Sequence, residues 1–160
     1  MSEPFEATNV RAFVDAWFSM LDRHDPADMV LAFADDDARM HFPEKTLEGV
    51  GDLRAWYEGG TYHDGEAAPG VINIFFDEVH QLVDLDVEVH ASTCTLNLVV
   101  AWQASMFIPP EASSRRVALD ATQRWELRAG PERRNHYGLL ITSYDAVAAP
   151  FVYAPGFARL

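Results

Sequence analysis

Cysteine is nearly absent from this chain: its 160 residues include one, Cys94, which excludes an internal disulfide. Positive charge is also scarce, with 12 Lys and Arg against 25 Asp and Glu and a net charge of -13. A surface this negative repels phosphate backbones, so no nucleic acid is expected as a partner. No apolar run approaches the ~20 residues that cross a bilayer, so no membrane partner is expected either. The first residues, Met1 to Glu6, are acidic and lack the basic and apolar regions of a secretory signal. With the lone cysteine, this predicts a reducing, cytoplasmic setting. The six histidines form no His-x-His or His-x-x-x-His set, so no metal and no cofactor is expected. There is no internal repeat and no low-complexity segment, and the length suits one domain over residues 1–160.

What is present reads as helices followed by strands. Val10, Phe13, Val14, Trp17, Phe18 and Leu21 recur at helical spacing and predict a helix from about Asn9 to Asp22, capped by Thr8 or Asn9. Asp25-Pro26-Ala27-Asp28 signals a second helix start, with Asp25 as cap and Met29, Val30 and Phe33 turned inward. Asp35 to Asp37 read as a solvated turn before a short strand, Ala38 to Phe42. A third helix spans about Val50 to Glu58 and ends at Gly59-Gly60. After Gly70 the chain reads as strands: Val71 to Glu88, Thr93 to Ile108, Arg116 to Arg128 and Asn135 to Tyr144. The alternation is cleanest in the third, where Val117, Leu119, Ala121, Gln123, Trp125 and Leu127 share one face. Helices segregated to one side of an antiparallel sheet make an α+β domain. The tail, Ala146 to Leu160, carries Phe151, Val152, Tyr153 and Phe157 and is expected to pack on its own domain or on a second copy.

Three segments carry a resemblance to the nuclear transport factor 2-like superfamily, in particular its SnoaL-like branch of cyclases, dehydratases and isomerases. They are Trp17 to Asp25 running into Leu31 to Ala38, Leu47-Glu48-Gly49 leading into Leu53 to Tyr57, and His80-Gln81-Leu82 followed by a hairpin strand with Trp102. The resemblance covers roughly Asn9 to Asp145. It implies a cone-shaped, curved antiparallel sheet, a half-barrel, packed on three N-terminal helices around an internal pocket, the cystatin-like fold. It also implies a homodimer, since open sheets of this superfamily commonly pair. Such a fold hosts unrelated functions, so the reaction must be argued from the site.

Two catalytic patterns of the superfamily can be laid on the chain. Ketosteroid isomerase uses an aspartate base, a tyrosine and a protonated carboxylic acid. The matching positions here are Phe42, Trp17 and Gln123, so the base is missing and that chemistry is rejected. Dehydratases similar to scytalone dehydratase pair an aspartate at the end of the first helix with a histidine on a facing strand. Asp22 and His80 match these, and Gln123 matches a substrate-contacting asparagine. A second histidine is replaced by Trp102-Gln103 and a tyrosine by Leu21.

A carboxylate bonded to one imidazole nitrogen fixes the tautomer and raises basicity at the other. Such a pair can take a proton next to a carbonyl and return it to a leaving hydroxyl. That suffices for dehydration, double-bond migration or aldol-type closure. The competing reading makes Asp22 a helix-end residue and His80 a hydrogen-bonded strand residue. His24 reads as a turn residue, His41 as pointing away from the pocket, His63 as solvated, and Cys94 as a small core residue. Arg115-Arg116 and Arg133-Arg134 read as solvated loop pairs. Gln123 is the one polar side chain on an apolar strand face, either a substrate contact or bonded to a neighbour. Trp17, Phe42, Trp56, Tyr57, Trp102, Trp125 and Tyr144 would line an apolar pocket suited to a small apolar molecule, and most of them are expected to be ordinary core.

Two further readings stand beside the dehydratase or isomerase. One is a binding or assembly domain without chemistry. The other is the small subunit of a ring-hydroxylating dioxygenase, which has no active site of its own.

Overall fold

The structure, a computed structural model, describes residues 4–160. Helix α1 (Ala7–Arg23) keeps one face in solvent, and its apolar stripe of Val10, Phe13, Val14, Trp17, Phe18 and Leu21 is buried as the periodicity predicts. Its start differs from expectation. Glu6 occupies the cap position without a side-chain bond, because the Asn9 amide donates instead to the carbonyls of Pro4 and Tyr137, at 2.8 and 2.9 Å. Helix α2 (Ala27–Leu31) is a single turn with Pro26 at its cap. Asp25 does not cap it, since Arg23 engages that carboxylate at 2.7 Å. In so short a helix Ala27 and Val30 take the inward positions, and Met29 is left 48% exposed, not buried as expected.

Strand β1 (Ala34–His41) starts earlier than the sequence suggests. Asp35 to Asp37 are therefore strand residues, not a solvated turn: Arg128 bonds Asp35 at 2.6 Å and Arg134 bonds Asp36 at 3.1 Å. Arg134 also donates to the carbonyls of Leu31 and Ala34, and Arg116 to that of Asp77, so these arginines tie elements together and are not free loop charges. Strand β2 (Thr46–Glu48) precedes helix α3 (Gly49–Glu58), and a small hairpin, β3 (Gly60–Thr61) with β4 (Ala67–Ala68), follows it. Gly59 and Gly70 close the base of this hairpin. A Cβ at Gly70 would stand 2.3 Å from the backbone of Glu58 and Gly59, so only glycine fits there. Residues Val71–Ile74 form a short helix, α4, where strand was expected.

The long strands are β5 (Phe75–Val89), β6 (Thr93–Met106), β7 (Arg115–Ala129) and β8 (Leu139–Asp145), with β9 (Val152–Tyr153) in the tail. The curved sheet runs β2-β1-β8-β7-β6-β5 and does not close. All its pairings are antiparallel except β1–β8, which is parallel. β8 pairs with β7 over Arg124 to Ala129, leaving the first half of that edge of β7 to the tail. There Tyr153 and Val152 lie opposite Leu119 and Asp120, and Ala158 bridges Val117. The tail also explains why Ala118, on the outward face of β7, is only 6% exposed.

Candidate active site

The end of α1 and the first half of β5 meet, and this contact brings Asp22 to His80. The Nδ1 atom of His80 lies 2.5 Å from Asp22 Oδ1, and the His80 backbone N–H donates to Asp22 Oδ2 at 2.9 Å. Both carboxylate oxygens are thus occupied by one residue, which holds the ring and the acid in a single relative orientation. A carboxylate only accepts, so Nδ1 carries the proton and a neutral ring presents its lone pair at Nε2. No protein group among those described bonds Nε2. Because no buried side-chain nitrogen or oxygen lacks a partner, Nε2 retains contact with solvent. The ring is otherwise walled in: it stacks on Phe18 at 4.8 Å and 15°, and the Trp102 ring stands 6.3 Å away. Trp102 is the register partner of His80 on β6, which puts both side chains on the inner face.

A second histidine–carboxylate pair lies beside the first. His24, at the C-terminal cap of α1, has Nε2 2.6 Å from Oε2 of Glu78. The Trp102 indole N–H donates to the other oxygen of Glu78 at 3.2 Å. His24 is therefore more than a turn residue, and Glu78 had no signal in the sequence beyond its place two residues before His80. Tyr57 closes this corner by donating to the carbonyl of Asp25 at 2.5 Å. Burial and the nearby acids Asp25 and Glu78 push its phenol up to about 12, so it stays protonated.

The other aromatic positions are in the core. Trp17 and Trp125 have no exposure and Tyr144 has 2%, and their rings pack at centroid distances of 4.7 to 6.3 Å. They fill the space expected as an internal pocket, because the residues at these inward positions are large. Phe42 stacks on Trp56 at 4.1 Å and tilts against Tyr144 at 5.3 Å. The Gln123 amide oxygen accepts the Trp125 indole N–H at 3.0 Å, within its own strand. Burial drives the Tyr144 phenol well above its usual value. Cys94 is fully buried and its thiol is pushed up to about 11 by that burial, so it is no nucleophile.

Two open surface cavities lie elsewhere. One, of about 440 Å³, is bordered by Arg39, His41, Phe42, Lys45 and His63, and the other, of about 320 Å³, lies between Trp102, Leu119 and the tail. Neither includes Asp22 or His80. At the first, His63 is not simply solvated: Nδ1 is 2.5 Å from the buried Asp52 and Nε2 is 3.1 Å from Glu48. The Asp52 hydrogen bond raises the His63 pKa above the usual histidine value. Burial alone would raise Asp52. The N–H groups of Glu48 and His63 and the His63 ring outweigh that and hold the carboxyl below its usual range. His41 faces outward, bonded to Thr46 at 2.9 Å. No cluster of three metal-ligating side chains is found among the described residues, and none of their helices is long and apolar enough to cross a membrane.

A family model described as "SnoaL-like domain" matches residues 6–133 of this chain. Among solved structures, a protein of Novosphingobium aromaticivorans assigned as an aromatic ring hydroxylase aligns with TM-score 0.73 and 14% identity, over 96% of each chain. The hexachlorocyclohexane dehydrochlorinase LinA-type3 of Novosphingobium barchaimii aligns with TM-score 0.66 and 13% identity, over 96% of this chain and 92% of that one. The CaMKII hub of S. rosetta aligns with TM-score 0.63 and 13% identity, over 96% and 99%. At such identities the likeness is one of fold. No curated protein matches.

Proposed function

The chain belongs to the SnoaL-like domain family, matched over residues 6–133, and we propose that it is a small-molecule lyase or isomerase that works by acid/base chemistry without a cofactor. The observation that carries this reading is the Asp22–His80 pair at 2.5 Å with Nε2 left unbonded. Nε2 of His80 takes a proton next to a carbonyl, and Asp22 holds the ring's tautomer and stabilises the imidazolium that forms. Loss of a leaving group from the adjacent carbon completes an elimination, and return of the proton elsewhere completes an isomerisation. The dehydrochlorinase among the structural neighbours supports the elimination form, since its name describes an elimination. The surroundings of the ring, Phe18 and Trp102, favour an apolar carbonyl or hydroxy compound. Trp56 and Phe42 pack on each other and on Tyr144, away from the ring, and Tyr57 closes the corner beside Asp25. Gln123, Trp17, Trp125 and Tyr144 are buried in the core beneath Phe18 and reach substrate only if the core rings part.

His80→Ala tests the assignment. Turnover of an apolar β-hydroxy ketone should fall by about 10²- to 10⁴-fold, with an unchanged circular dichroism spectrum. Full activity in the folded variant would sink the reading.

The filled interior favours a second reading, a domain whose role is assembly. The CaMKII hub among the neighbours and the exposed Phe76, Val79, Val83 and Val89 on β5 support it. Native mass spectrometry separates the two: a retained apolar ligand supports the pocket reading, and a ligand-free oligomer supports assembly.

A further inference from the structure

We infer that Glu78, charged by His24, is the proton donor to the leaving group, so that the site holds an acid pair beside its base pair. The inference rests on the acid/base reading above and extends it to the other half of an elimination. Glu78 and His80 are two apart on β5 and border the same indole. The Trp102 N–H bonds Glu78 at 3.2 Å while the Trp102 ring stands 6.3 Å from the His80 ring. A leaving group on the carbon next to the deprotonated one is therefore served from the Glu78 side of that wall. The Glu78 side chain is only 7% exposed, so its carboxylate depends on the imidazole 2.6 Å away, whereas the His24 side chain is 26% exposed and reaches solvent for protons.

Two backbone features position this pair. Among the described residues, two non-glycine residues have positive φ: His24 at 54° and Asp77 at 48°. One is a member of the pair and the other is the immediate neighbour of Glu78. The β5–β6 register also shifts between Phe76 and Val79, which re-aims Glu78 towards α1. At His24 this is the left-handed cap that ends α1, its N–H bonded to the Leu21 carbonyl; at Asp77, inside β5, no helix end explains it, and such conformations gather at functional sites.

The proton balance is simple. Nε2 of His80 takes the substrate proton as the C–H bond breaks and the electron pair forms the C=C bond. The C–O bond breaks, and the leaving oxygen takes the one proton shared between His24 and Glu78, departing as water. His24 is left neutral beside the Glu78 carboxylate and regains a proton from solvent, while His80 loses one to it. No oxidant, metal or further reactant enters. A chloride needs no such proton, because it leaves as a stable anion, so the acid pair selects for hydroxy compounds over halides.

Two probes that give the same enone test this: the hydrate of benzylideneacetone, a β-hydroxy ketone, and the matching β-chloro ketone, both followed by enone absorbance. His80→Ala should slow both. Glu78→Gln should slow the hydroxy ketone at least about 100-fold more than the chloro ketone. His24→Gln keeps an N–H for Glu78 but cannot carry a proton, and it should lower the same hydroxy-to-chloro ratio. Folding of each variant is checked by circular dichroism, and either folded variant suffices. An unchanged ratio in a folded variant overturns the acid pair while leaving the base intact. Activity that survives His80→Ala, or a wild-type protein inert to both ketones, overturns the elimination reading beneath it.

Discussion

At the residue scale, the chain repeats one device three times: a histidine fastened to a carboxylate, in Asp22–His80, Glu78–His24 and Asp52–His63. The third fastens a loop and has a defined pH dependence. His63 has a raised pKa, so its contribution is complete below its ordinary value of 6.5 and is lost as pH rises through the raised one. Asp52 has a depressed pKa, so its contribution is present above 3.8 and is lost as pH falls through the lower one. The fastening is therefore strongest between these limits. Amide exchange at Tyr62 and Gly65, both bonded within the hairpin, should quicken as pH rises above 6.5, beyond the intrinsic base-catalysed rise. His63→Asn should remove that excess; an unchanged excess would show that another group controls the hairpin.

At the element scale, α1 is the organiser. Its apolar side supplies the floor under His80 through Phe18, and its last turn supplies Asp22 and His24. Phe13 has no exposure and stacks on Phe33 at 4.7 Å. Phe13→Ala should cost about 3–5 kcal/mol in chemical denaturation, and a loss under 1 kcal/mol would mean the site collapses around the gap. The α1 stripe and the β7 alternation were legible in the sequence because each depends on local periodicity. The tail strand, the parallel β1–β8 pairing and the ion pairs of Asp35 and Asp36 were not. They join residues such as Asp35 and Arg128, far apart in sequence, and no local pattern marks such partners.

At the scale of the whole molecule, the sheet has one long unpaired edge, β5. As far as Val83 it exposes Phe76, Val79 and Val83, whereas the remainder carries Asp84, Asp86 and Glu88 opposite Val99, Asn97 and Thr95, with the exposed Val89 at its end. Two copies would repel each other along the acidic half and pair along the apolar half. Light scattering should therefore find a dimer, and Val83→Asp should shift it to monomer. A wild-type monomer throughout the micromolar range would rule this edge out as an interface. The net charge of -13 predicts that added salt strengthens the dimer by screening.

The sequence by itself determined the α+β class, the apolar faces of α1 and β7 and the candidate residues Asp22 and His80. Periodicity and residue type are local properties, and the family resemblance ordered them. Only the tertiary structure decided that Asp22 and His80 meet at 2.5 Å, that Glu78 and His24 meet beside them, and that the aromatic side chains fill the interior. Those outcomes depend on a helix end meeting a strand more than fifty residues later, at a register set by bulges in β5. Side-chain volume on the concave side of the sheet then decides what space remains, and no single segment of the chain carries that information.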